Sequence, residues 1–127
     1  MLKLGLIAVG GALGALLRYG LAGVVQERSD SLFPVGTLAV NVAGCFAIGL
    51  LAAFFAGPYL IREEVRAFAL VGVLGSFTTF STYGLETVGL ATEGAFLQAG
   101  ANVAASNVFG VLGVWLGYRL ARGFVGI

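Results

Sequence analysis

The 127-residue chain is 59% hydrophobic and charged at only 10% of its positions, with a mean hydropathy of +1.01; a soluble domain carries about 25% charged residues. That balance places it in the membrane class, and a net charge of +1 gives no reason to expect nucleic acid. With no histidine and a single cysteine, Cys45, the commonest metal ligand and proton shuttle are missing and an intrachain disulfide is excluded.

The first predicted span is residues 4–25, with Arg18 its only charge. Lys3 and the apolar core 4–17 also fit a signal peptide, but the apolar pattern resumes after Arg18 and no small-x-small cleavage site follows. A polar loop, 26–34, carries Glu27, Arg28 and Asp30. The second span, 35–57, is uncharged, and the loop 58–66 holds Arg62, Glu63, Glu64 and Arg66. The third span, 67–91, contains Glu86; Thr92 and Glu93 make a short turn; the fourth span, 94–118, is uncharged. Each meets the roughly 20 apolar residues needed to cross a bilayer. The reading is one four-helix transmembrane domain over 1–127. Short links make successive helices antiparallel, and an even number of spans leaves both termini on one side. Lys3, Arg62, Arg66, Arg119 and Arg122 fall on that side and only Arg28 on the other, which predicts cytoplasmic termini; Arg119, near a helix end, also suits snorkelling.

In the first span Arg18 is either an interfacial anchor or an anion-attracting vestibule charge; at mid-membrane a cation costs about 2.5–3.5 kcal/mol on insertion scales. Gly10 with Gly14, and Gly113 with Gly117, make small-residue notches that read as helix packing. In the second span Thr37, Asn41 and Gly44 share a face, and in the fourth Asn102, Ser106 and Gly110 do the same. One such face alone is helix glue; two together point to a polar pathway. Four short helices scarcely enclose an aqueous route, so an oligomer is expected.

The third span carries the strongest signal. Residues 75–83 read Gly-Ser-Phe-Thr-Thr-Phe-Ser-Thr-Tyr inside an apolar stretch. Gly75, Thr78, Thr79 and Thr82 are poor helix formers, and a broken backbone at bilayer depth is tolerated only where protein buries it or water meets it. Carbonyls freed at a break can bind a hard cation. Phe80 and Tyr83 are three apart and share a face, where positive ring edges can meet an anion; aromatic packing is the plainer alternative. Glu86, one step further, is either a helix-end group in water or part of that route.

Taken together, the motifs at 14–18 (Gly-Ala-Leu-Leu-Arg), 36–44 (Gly-Thr-Leu-Ala-Val-Asn-Val-Ala-Gly) and 72–82 (Gly-Val-Leu-Gly-Ser-Phe-Thr-Thr-Phe-Ser-Thr), with the Asn102/Ser106 face, resemble the Fluc/CrcB family of fluoride channels over nearly the whole chain. The resemblance implies an all-α membrane protein of four transmembrane helices, the third broken near mid-membrane, assembled as an antiparallel homodimer. It implies passive fluoride export across the cell (inner) membrane, lowering cytoplasmic fluoride, with no enzymatic activity. A structural Na⁺ at the dimer centre would be held by the Gly75 and Thr78 carbonyls of each subunit. Phe80 and Tyr83 would be the pore aromatics and Asn41 the pore-facing amide. Thr37, Thr79, Asn102 and Ser106 would be polar surfaces along the route, with Arg18 and Glu86 as vestibule charges. Position 83 is Tyr where Phe is frequent, and Gly110 stands where some members carry a hydroxyl. The lysine and arginine bias sits oddly with insertion in both orientations, so an oppositely biased second chain is the alternative partner. A small proton-coupled multidrug exporter, also a four-helix dimer, is the rival function, but it calls for an acid in the first helix, where this chain has Arg18. A non-transporting assembly subunit leaves the broken span unexplained.

Overall fold

The structure, a computed structural model, describes residues 1–126, the side chain of Val125 apart. All regular structure among the described residues is helical: α1 (Leu2–Ser29), α2 (Val35–Phe55), a composite third span of α3 (Glu63–Arg66), a π-helix (Ala67–Leu74), α4 (Gly75–Phe77) and α5 (Phe80–Thr92), then α6 (Phe96–Val125). Four helical stretches are long and apolar enough to cross a membrane: Leu2–Ser29, Val35–Phe55, Glu63–Thr92 and Phe96–Phe124. The chain is a multi-pass membrane protein.

α1 and α6 overrun the apolar segments that define their spans, α1 by four residues past 25 and α6 by seven past 118. A helix leaving hydrocarbon keeps its i→i−4 bonds, so polar side chains end the span without ending the helix. What stops α1 is Asp30, which takes the left-handed conformation (φ 45°, ψ 35°) that Asp tolerates better than most residues. The α5–α6 turn needs Gly94, at φ 80°, where a side chain would be strained.

Packing follows the small residues. α2 and α6 make the most extensive interhelical contact. A Cβ on Gly49 would strike the Val114 carbonyl, one on Gly117 the Phe46 carbonyl, and one on Gly113 would sit 3.2 Å from the Val42 carbonyl. Positions 42 and 46 thus meet 113 and 117 in the same order, so these two sequence-distant spans run parallel. α1 lies against the π-helix with Gly10 and Gly14 backed onto the Phe68 and Val73 carbonyls. In lipid, where burial of apolar surface gives no drive between helices, such backbone approach is what holds spans together. The glycine notches are packing devices.

The two ends differ in charge. Lys3 pairs with Glu63, Arg66 sits 6.0 Å over the Phe55 ring and Arg122 lies 5.9 Å over the Tyr118 ring. The start of α1, the end of α2 and the start of the third span therefore gather at one end. At the opposite end Gln26 organises the first loop: its Nε2 donates to the Ser31 and Phe33 carbonyls, and its Oε1 accepts from the Gly36 N–H.

Candidate functional site

The third span breaks at Thr78 (φ −87°, ψ 153°) and Thr79 (φ −146°, ψ 115°), both extended. Two side chains hold the break open by redirecting helical donors. In a continuous helix the Thr79 N–H would bond to the Gly75 carbonyl; here it donates to Asn41 Oδ1 at 2.7 Å. The Thr82 N–H would bond to the Thr78 carbonyl; here it donates to Thr79 Oγ1 at 3.2 Å, making Thr79 the N-cap of α5. Asn41 also donates from Nδ2 to the Thr79 carbonyl at 3.0 Å, so one amide satisfies both backbone groups of Thr79. The Gly75 and Thr78 carbonyls are left without their helical donors. The Thr78 hydroxyl is occupied, donating to the Leu74 carbonyl at 3.2 Å, so this residue offers its surroundings a carbonyl rather than a hydroxyl.

Arg18 turns inward at the same level. Its Nε donates to the Ser76 carbonyl at 3.1 Å, another acceptor stranded near the break. A cation within a span satisfied by backbone oxygen is an expected arrangement, and here it turns Arg18 toward the break. Among the described residues no group of His, Cys, Asp and Glu could hold a metal ion. The freed Gly75 and Thr78 carbonyls are oxygen donors of the kind a hard cation takes.

Beside the break lies a groove of about 300 Å³ whose walls include Asn41, Gly75, Thr78, Thr79, Phe80, Tyr83 and Ser106. Phe80 and Tyr83 make a tilted ring pair with centroids 5.3 Å apart, yet Phe80 is 84% exposed: its own chain does not cover it. Cys45 and Asn107 also line the groove. Asn107 was not singled out from sequence, although an amide following Ser106 on the polar side of α6 is a signal that could have found it; its Nδ2 donates to the Val103 carbonyl at 2.8 Å.

A second, polar pocket of about 270 Å³ contains Arg18, Thr37, Thr82 and Glu86. Thr79 lines both this pocket and the groove, so it stands at their junction. Thr37 therefore separates from Asn41 and Gly44, its neighbours on the α2 face: it lines the polar pocket and they line the groove. Glu86 lies six residues short of the end of α5 rather than at it. Its Oε1 accepts from the Thr37 hydroxyl at 2.7 Å, while Oε2 is buried with no hydrogen-bond partner among the described residues. Asn102 joins neither cavity. It is 1% exposed and donates to Thr87 Oγ1 at 2.9 Å, tying α6 to α5; Ser106 reaches back to its Oδ1 at 3.5 Å.

The break also sets two helix ends against each other. α4 ends there, presenting carbonyls, and the 13-residue α5 begins there, presenting N–H groups. A helix C-terminus favours a cation and an N-terminus an anion. Paired half-helix ends at bilayer depth are a recurrent way for membrane proteins to hold ions of both signs.

Comparison with known proteins gives the family. The family model described as CrcB-like protein, Camphor Resistance (CrcB), matches residues 5–118. Similar proteins include the fluoride-specific ion channel FluC of Paramagnetospirillum magneticum, 46% identical over 123 residues covering 95% of this chain and 96% of the relative. The protein of the same name from Salinibacter ruber is 47% identical over 126 residues, 99% of this chain and 94% of the relative. That from Helicobacter pylori is 40% identical over 122 residues, 94% of this chain and 93% of the relative. With the family match spanning all four membrane segments and the relatives aligned almost end to end, this chain belongs to the CrcB family.

Proposed function

We propose that the protein is a fluoride channel that lets F⁻ leave the cell passively across the inner membrane and so lowers cytoplasmic fluoride. The observation that carries this reading is the Thr78–Thr79 break, open at bilayer depth onto a groove of amide, hydroxyl and ring edges. Relatives that carry the name fluoride-specific ion channel support the choice of anion.

Fluoride is small and firmly hydrated, so a route must replace its water with donors at several weak sites, binding well enough to admit the ion and loosely enough to release it. The polar pocket would collect the anion near Arg18. Thr79, at the junction, and the α5 N-terminus would pass it to the groove. There Asn41 retains one Nδ2 hydrogen after bonding to the Thr79 carbonyl, Ser106 is held only by a long 3.5 Å contact, and the edges of Phe80 and Tyr83 carry partial positive charge. Thr37 holds Glu86 at the pocket wall. Asn102 acts at one remove, fixing α6, and with it Ser106, against α5.

The exposed Phe80 and Gly75 favour a second copy of the chain over the groove as an antiparallel homodimer, which would bring two breaks together at a two-fold axis. The Gly75 and Thr78 carbonyls of both subunits would then converge on a structural Na⁺. When bound, that ion supplies a fixed positive charge that offsets the cost of an anion in low dielectric. The test is fluoride release from loaded liposomes: Phe80→Ile should slow release sharply while the dimer still assembles. Release at the unaltered rate from an assembled Phe80→Ile dimer would remove the groove from the route.

A further inference from the structure

On the side of α2 away from the break runs a second groove of about 650 Å³. Val35, Leu38, Val42 and Phe46 of α2 line one wall and Leu112 and Leu116 of α6 the other, over a floor opened by Gly113. No polar side chain enters it. The α2 stripe runs from the first residue of the helix, Val35, to Phe46, a rise of roughly 16 Å at about 1.5 Å per residue. That is about half of a 30 Å hydrocarbon core, the depth of one leaflet. A groove of that length, starting at the first residue of α2 beside the first loop, has room for a single acyl chain.

Its mouth is not neutral. Val25 of α1 completes the groove there, and Arg28, one turn later, falls on nearly the same face. Arg28 is exposed and has no ion-pair partner among the described residues. Asp30, also exposed, ends α1 two residues on. Glu27, Arg28 and Asp30 together carry a net charge of −1, which disfavours an anionic headgroup and suits one bearing both a phosphate and an ammonium.

We propose that this groove is a specific site for a zwitterionic phospholipid with a primary-amine headgroup, one acyl chain lying along α2 and α6, the phosphate against Arg28 and the ammonium against Asp30. Any bilayer lipid can fill an apolar slot; the charged mouth selects among them. The site lies apart from the anion route and does not depend on the identity of the permeant ion.

The test is lipid retention. The purified assembled protein is equilibrated with equimolar phosphatidylethanolamine and phosphatidylglycerol in mixed micelles, and lipid retained per chain is read by native mass spectrometry. One phosphatidylethanolamine per chain is expected, in preference to phosphatidylglycerol. Arg28→Gln should lower that retention about tenfold, the loss of one charge-assisted bond, and Asp30→Asn should shift the preference toward phosphatidylglycerol. Ala43→Phe, which fills the groove, should abolish retention. Fluoride release by Arg28→Gln should match that of the unaltered chain, so the lipid site and the channel reading fail separately. Equal retention of the two lipids, a preference for phosphatidylglycerol in the unaltered chain, or indifference to both Arg28→Gln and Ala43→Phe would overturn the proposal. A disulfide between Leu112→Cys residues of two chains would also overturn it, because a second copy would then fill the slot.

Discussion

Asn41 does two jobs with one amide. It accepts from and donates to the backbone of Thr79, and no other side chain of its size offers a donor and an acceptor in that spacing. Asn41→Asp keeps the acceptor and loses the donor. It also sets a carboxylate against the Thr79 carbonyl and adds negative charge to the proposed anion route. Fluoride release measured by electrode is expected to fall about tenfold or more, the equivalent of one lost hydrogen bond of about 1.4 kcal/mol. Unchanged release would mean that the amide is structural only. Arg18 is the second residue on which the break depends, because it satisfies the Ser76 carbonyl. Arg18→Ala leaves that oxygen without its donor and is expected to destabilise the protein by about 1.5–3 kcal/mol, read as an earlier unfolding midpoint in detergent. Asn41 and the threonines are legible in the sequence because amides and hydroxyls stand out in an apolar span. The direction in which Arg18 turns is not, since an arginine at that depth can reach an interface or an inner carbonyl, and only the neighbouring helix decides.

Between elements, the decisive contacts are made where side chains are missing. The α2–α6 pairing depends on Gly49 and Gly117, each backed onto a carbonyl of the other helix. Gly49→Ala should force the helices apart and cost about 1–3 kcal/mol, as overpacking does. Gly20→Ala, where an added Cβ meets nothing within 4 Å, should be neutral or slightly stabilising through helix propensity. Thermal unfolding of the two variants side by side separates packing from propensity, and equal midpoints would contradict this account of the interface. Four helices and the interruption of the third could be read from composition and from the Thr-Thr run. The π-helix at Ala67–Leu74 could not. Its residues are uniformly apolar, and its wider hydrogen bonding, with the Gly75 N–H reaching the Leu70 carbonyl, accompanies the close approach of Gly72 to Gly10 on α1, a contact 62 positions away in the chain. The two polar faces put α2 and α6 on one path, but the extent of their contact through Gly49, Gly113 and Gly117 is not legible, because it joins parallel helices that no short loop connects. Asn102 shows the limit of face-sharing arguments, since its spacing matched Ser106 while its partner, Thr87, lies on another helix.

For the molecule as a whole, one chain leaves the proposed ion surface uncovered: Phe80 lies open beside the groove. Antiparallel pairing would cover that surface and requires chains inserted in both orientations, against the excess of lysine and arginine at one end. The first loop offers a direct check. With Cys45→Ser removing the native thiol, Leu32→Cys, at a position 82% exposed, should react with a membrane-impermeant maleimide from both faces of the membrane. Labelling from one face alone would rule out an antiparallel homodimer of this chain and favour an oppositely biased partner. The most direct measurement of the central claim is ion release from liposomes containing the purified protein, loaded in parallel with fluoride or chloride and followed by ion-selective electrodes. Rapid loss of fluoride with retention of chloride is the expected result. Retention of both ions by vesicles shown to contain the assembled protein, or equal loss of both, would contradict it.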